Sequence, residues 1–202
     1  MLIAGLAVLY IAYVGSHKLQ FQKELQLSAL LSAPTVQQGE RLQLDLPTQS
    51  ADCQANGPLP DHDCTPGAIF ENATKEIICV SGYSSTVRDV SMHLKKKVFL
   101  QYGINYPVPF GSYEIDHLIP LSLGGNNEVS NLWPKSATPF PGFWEKNITG
   151  NYLKEEICAG RVALRVAQQH MADNWFLIYQ NMDSQGIEEL KLKYPTWADR
   201  EK

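Results

Sequence analysis

Asp116 and His117 stand side by side in YEIDHLIPLSLGGNNEVSNLWPK, Tyr113 to Lys135, followed by Gly124-Gly125 and then by Asn131. A carboxylate can hold a hard cation through oxygen. An imidazole with a pKa close to neutrality can act as a general base. On a strand, neighbouring side chains point to opposite faces, so this pair shares a cavity only where the backbone bends, as it would before Pro120 or at a strand end. Asn131 lies fourteen positions after His117, across the glycine pair. A hairpin returns it to the same end, where its amide can bond across the loop and hold the imidazole. A helix expected over 143–158 closes the third side, with Lys146 and Asn147 near its first turn. Three polar residues and a tight turn set into an apolar run are odd for a core strand pair and ordinary for a metal site.

The elements that must position these groups are legible in outline. YEIDHLIPL and SNLWP are short strand-like pieces flanking the turn GGNNEV, with Leu132 and Trp133 read as core. Pro120 and Pro134 exclude a regular central sheet and mark strand ends. Upstream, Thr65-Pro66-Gly67 is a turn, and EIICV reads as a short strand or a segment leading into Gly82. STVRDVSMHLKKKVFLQYGI reads as a helix capped by Ser84, Ser85 or Thr86 and ended by Gly103. Val90, His93, Leu94, Val98 and Tyr102 recur in it at three- or four-residue steps. Lys95 to Lys97 fan over more than one face, as a solvated surface does. Downstream, FWEKNITGNYLKEEICAGR reads as a helix, weakened at Gly150 by about 1 kcal/mol relative to alanine, with Gly160 as its stop. A last helix lies in ALRVAQQHMADNWFLIYQNM. The order is helix, β-hairpin with a long loop, helix, helix, which makes the fold α+β.

The chain has 202 residues, 44% apolar and 19% charged, which is globular rather than disordered. Its formal net charge of -4 does not advertise nucleic-acid binding. The acidic excess nevertheless lies outside the Asp-His segment: residues 86–166 carry 9 basic and 7 acidic side chains, against 4 and 8 in residues 1–85. Four cysteines, Cys53, Cys64, Cys79 and Cys158, have no CxxC spacing, which argues against a zinc knuckle. Their even number suggests two disulfides in an exported protein with three possible connectivities, and Cys64 with Cys79 is favoured because both sit in the lead-in. LIAGLAVLYIAYV, 13 residues without a charge, is short for a membrane span and suits a signal-peptide core or short anchor over 1–16. Residues 17–63, rich in Gln, Ser, Pro and Asp, read as a loosely ordered leader with a strand near RLQLDLP. The compact domain is expected over 64–182, and 183–202 as a tail.

DHLIPLSLGG…NLWP resembles the HNH (ββα-metal) endonucleases. The likeness is strongest to exported bacterial members with a CTPG…ICVxGY…VR lead-in and a VCxG…AQ…ATDW ending. This chain has CTPGA, ICVSGY, TVR, EICAGR and AQQHMADNW, so the resemblance covers about 64–180. It implies a ββα-metal core of hairpin and helix with flanking helices before and after. Asp116 matches the acidic metal ligand, His117 the general base, and Asn131 the asparagine that holds the loop. The third signature histidine has no counterpart, and His170 falls in the last helix. Where related proteins have Lys-Asp, this chain has Lys146-Asn147, so Asn147 becomes the second expected ligand. One divalent metal ion is implied, Mg²⁺ first, with Mn²⁺ or Zn²⁺ as alternatives. The implied reaction is phosphodiester hydrolysis of DNA, with RNA as a second candidate and without sequence specificity, and Lys146 offsets transition-state charge. Arg88, Lys95, Lys135 and Lys146 are the expected phosphate contacts. Membrane contact would come only through the N-terminal segment, if uncleaved. The alternative is a catalytically weak or inactive binding module of the cell envelope on the same fold.

Overall fold

Strands β1 (Tyr113–His117) and β2 (Leu132–Ser136) pair antiparallel, with Ile115 opposite Pro134 and His117 opposite Leu132. The computed structural model describes residues 2–32 and 44–195, with side chains from Gly15 onward except His17. Pro134 was expected at a strand end and sits in the middle of β2. A two-stranded ribbon consists only of edges, where proline is tolerated. Around the ribbon lie α1 (Leu2–Ser32), α2 (Lys75–Ile78), α3 (Tyr83–Val87), α4 (Met92–Gln101), α5 (Phe143–Cys158), α6 (Leu164–Asn181) and α7 (Ser184–Lys193). The fold is mixed α+β.

The expected helix over 85–104 is two helices. α3 stops at Val87, Arg88 is extended (φ -71°, ψ 117°), and α4 restarts behind Ser91, whose Oγ accepts from the Leu94 N–H at 3.2 Å. The cap is therefore Ser91 and not Ser84, Ser85 or Thr86. The break leaves Arg88 beside the ribbon on non-helical backbone. The first three residues of EIICV are likewise helical rather than a strand: α2 begins behind Thr74, whose hydroxyl accepts from the Ile77 N–H at 3.4 Å, and ends at Ile78. α5 forms as expected, and Glu145 closes its start by accepting from the Gly142 N–H at 2.6 Å. Gly150 has a packing reason. A Cβ there would stand 3.0 Å from Pro120 Cγ, so glycine lets α5 press against the turn that follows β1.

The core lies between the ribbon's long loop, α5 and α6. Leu118, Ile119, Leu123, Leu132, Trp133 and Trp175 are all essentially sealed from water. Two segments expected to be loose are built onto it. Residues 17–32 continue α1, where Leu27 and Leu31 are buried and the Leu30 carbonyl lies 2.9 Å from His170 Nε2. Residues 44–63 contain no strand, but the Pro58 carbonyl accepts from Trp175 Nε1 at 3.0 Å and the Cys53 N–H donates to the Gln101 carbonyl at 2.9 Å. Residues 41–43 of the expected strand, Met1 and residues 196–202 lie outside the described residues. The expected tail is also partly helical: Lys193 and Tyr194 at the end of α7 both reach Glu155, at 2.6 and 2.7 Å.

The disulfides are Cys53–Cys64 and Cys79–Cys158, not Cys64–Cys79. Residues 53–64 curl on themselves through the Asn56–Leu59 bridge, which returns Cys64 to Cys53. Cys79, at the end of α2, meets the last residue of α5. Two such bonds fit an oxidising, exported environment. Among the described residues no helix is long and apolar enough to cross a membrane.

Candidate active site

Glu114 and Asp116 are two residues apart on β1 and so share a face. His117 ends the strand, and the chain turns at once, with the Leu118 N–H on the Asn131 carbonyl at 2.8 Å. This bend brings both members of the Asp-His pair to one cleft of about 470 Å³, whose wall also includes Arg88, Glu114 and Asn147.

His117 is buried, and its Nε2 lies 3.2 Å from Asn127 Oδ1. The Asn127 amide can face only one way. Its Nδ2 donates to the Val87 carbonyl at 2.7 Å, and its Oδ1 also accepts from the Asp89 N–H at 3.2 Å. Nε2 must then carry the proton, which leaves Nδ1 as the basic nitrogen. Burial pushes the imidazole pKa down to about 4, against the opposing pull of Asn127 and Asp116. The ring is therefore neutral at neutral pH.

Asp116 is also buried. Its Oδ2 is 2.8 Å from Lys146 Nζ, yet the angles are not those of a hydrogen bond, and among the described residues none reaches that oxygen. The contact is an ion pair that leaves hydrogen-bonding capacity unused. Lys146 is 1% exposed and donates to the His117 carbonyl at 2.6 Å. It stands behind the Asp-His pair and does not line the cleft, whereas exposed Arg88 does. Glu114 is pushed up to about 7, first by burial and then by the negative charge of Asp116, with a hydrogen bond from Asn147 acting the other way. That bond, Asn147 Nδ2 to Glu114 Oε2, is long at 3.4 Å and leaves the Asn147 carbonyl oxygen free of it.

Asn131 is completely buried and pins the loop. Its Oδ1 accepts from the Ile119 N–H at 2.9 Å, and its Nδ2 donates to the carbonyls of Ile119 and Asn126 at 3.0 and 2.9 Å. It does not hold the imidazole, as its position had suggested; Asn127 does. Gly124 takes φ +79°, which favours glycine, while a Cβ on Gly125 would run into the Ile119 carbonyl. Lys95 is half-buried on a neighbouring groove that also includes Arg88. Lys135 leaves the set of phosphate contacts: it is buried, its Nζ donates to the Pro141 carbonyl at 2.7 Å, and the rings of Trp133 and Trp175 lie 5.2 and 5.5 Å away. His170 is occupied at the end of α1.

Sequence alone offers Glu114 only as a replacement ligand for Asn147, and it does not single out Asn127. Glu114 carried a signal, since it is two positions before Asp116 on a strand. Asn127 carried none beyond membership of a turn. Glu114, Asp116 and Asn147 offer oxygen donors to one cleft, and an Asp116 oxygen lacks a hydrogen bond, so the residues fit a hard cation such as Mg²⁺ or Mn²⁺ better than Zn²⁺. Among the described residues no group of three His, Cys, Asp or Glu side chains could hold a metal ion. The donor set therefore depends on the neutral Asn147. No family model, curated protein or solved structure matches the chain.

Proposed function

We propose that this protein is an exported or membrane-tethered, metal-dependent endonuclease of the HNH (ββα-metal) kind, with β1, β2 and α5 as its ββα unit. The observation that carries the reading is a buried, neutral imidazole whose proton is fixed on Nε2, next to a carboxylate oxygen without a hydrogen bond, in one open cleft. His117 takes a proton from the attacking water at Nδ1. Its Nε2–H stays on Asn127 Oδ1, which keeps the ring aligned and eases the positive charge that forms. Arg88 faces the phosphate as a cation. Lys146 holds the Asp116 carboxylate and the His117 carbonyl together, so it is a positioning residue. Asp116, Glu114 and Asn147 would hold the divalent ion, which would supply Lewis-acid stabilisation of phosphate charge. Phosphate contacts carry no sequence information, so binding through them gives cutting without sequence specificity.

A second reading, a binding module without catalysis, draws on one observation: the Lys146 ammonium already partners Asp116, which weakens the attraction for a metal ion. Supercoiled plasmid separates the two. The full chain should nick it with Mg²⁺ or Mn²⁺, and EDTA or Asp116→Ala should stop it. No nicking above the Asp116→Ala background with any divalent ion would defeat the enzyme reading.

A further inference from the structure

Beside the cleft, between α4 and the chain leading into β1, runs a groove of about 490 Å³. Its floor is aromatic. Phe99 is buried and packs edge-on to Tyr113, with ring centroids 6.2 Å apart, and lies 5.9 Å from the Tyr106 ring. The two tyrosines are thus braced from below. Phe110 is 79% exposed and Tyr106 44% exposed, so flat apolar rings face water at the rim. Cations accompany them: Lys95 lines the groove, Lys96 Nζ stands 5.3 Å from the centre of the Tyr106 ring, and Arg88 lines both groove and cleft. Glu114, shared with the cleft, is the one carboxylate lining the groove among the described residues.

Exposed rings interleaved with lysine and arginine suit a ligand with both flat apolar faces and negative charge. A nucleic-acid strand with unpaired bases has both. The bases of a duplex are stacked on each other and cannot stack on protein rings, whereas unpaired bases can. We infer that this groove is a stacking subsite for unpaired bases of the strand whose phosphate enters the cleft, so that the protein prefers single-stranded or frayed nucleic acid. The inference rests on the nuclease reading for the direction of the strand, through Arg88 and Glu114, but not for the binding itself.

Binding is measured by fluorescence anisotropy in EDTA, with the full chain, a short labelled oligothymidylate and a duplex of equal length. The single strand should bind more tightly than the duplex. Phe110→Ala should weaken single-strand binding by roughly 5- to 150-fold, the span for one lost stacking partner. Phe110→Tyr should restore it, while Phe110→Leu, apolar but not aromatic, should not. Lys95→Met should flatten the salt dependence. Leu100→Ala, an exposed change on α4 outside the groove, serves as the control, and unchanged melting confirms that each variant is folded. Equal affinity for strand and duplex, or a Phe110→Ala variant that binds like wild type, overturns the subsite. If that happens while plasmid nicking persists, the nuclease reading survives without the groove. If the stacking signature appears without nicking, the subsite stands and the catalytic reading falls.

Discussion

At the scale of single residues, His117 and Glu114 are shifted in opposite directions by the same burial, and the signs can be followed through to stability. The unfolded imidazole titrates near 6.5 and the folded one near 4. Between those values the unfolded chain holds more protons, so the stability contributed is full above 6.5 and is lost as pH falls toward 4. Glu114 titrates near 4.5 unfolded and near 7 folded, so the folded chain holds the extra proton. Its contribution is full below 4.5 and is lost as pH rises through 7. Between 4.5 and 6.5 the slopes oppose and largely cancel. In metal-free protein, unfolding free energy measured in urea across this range should rise with pH in Glu114→Gln, relative to wild type, and fall with pH in His117→Asn. Slopes of the same sign in both variants would contradict the charge states assigned here. Glu114 could be read from strand alternation, whereas the grip on the imidazole could not. Both Asn127 and Asn131 occupy the loop, and only the folded backbone decides which amide meets the ring.

At the scale of elements, the ribbon, its loop and α5 form the part that sequence predicts well, because Gly124-Gly125, Pro120 and the apolar spacing of 143–158 each constrain the backbone locally. The α3–α4 break was hidden by a helical spacing that runs on from Val90 to Tyr102, although Ser91 could have been weighed as a cap. The α2 error arose because a four-residue apolar run does not distinguish strand from helix. The loop itself is held from two sides. Asn131→Ala would strip partners from the Ile119 N–H and from the Ile119 and Asn126 carbonyls. At about 1–3 kcal/mol per buried unsatisfied group, the loss should reach about 3 kcal/mol or more. Gly125→Ala should be comparably damaging, since its Cβ would meet the Ile119 carbonyl and come within 2.9 Å of Asn131 Nδ2. Denaturant unfolding should show both losses, together with reduced nicking. An Asn131→Ala protein as stable as wild type would remove the asparagine from its structural role.

At the scale of the whole molecule, long-range ties decide what the sequence left loose. The Cys79–Cys158 bond closes a separation of 79 residues and joins α2 to the end of α5, while Cys53–Cys64 closes only 11. On the chain-entropy account these constraints contribute about 4.5 and about 2.8 kcal/mol. Melting should therefore fall further in Cys79→Ser/Cys158→Ser than in Cys53→Ser/Cys64→Ser, and the reverse order would contradict this pairing. Such pairings, like the docking of α1 on α6 and of Pro58 on Trp175, join residues far apart in the chain and leave no local pattern to read. The site inherits its rigidity from this frame, and its catalytic claim rests on one ring. That claim is tested most directly by the nicking rate of purified His117→Ala beside wild type on supercoiled plasmid with Mg²⁺ or Mn²⁺, with melting and calorimetric metal binding measured on the same samples. Loss of the general base should lower the rate by about 10²–10⁴-fold with folding and metal affinity retained. A His117→Ala protein that nicks at the wild-type rate would contradict the account.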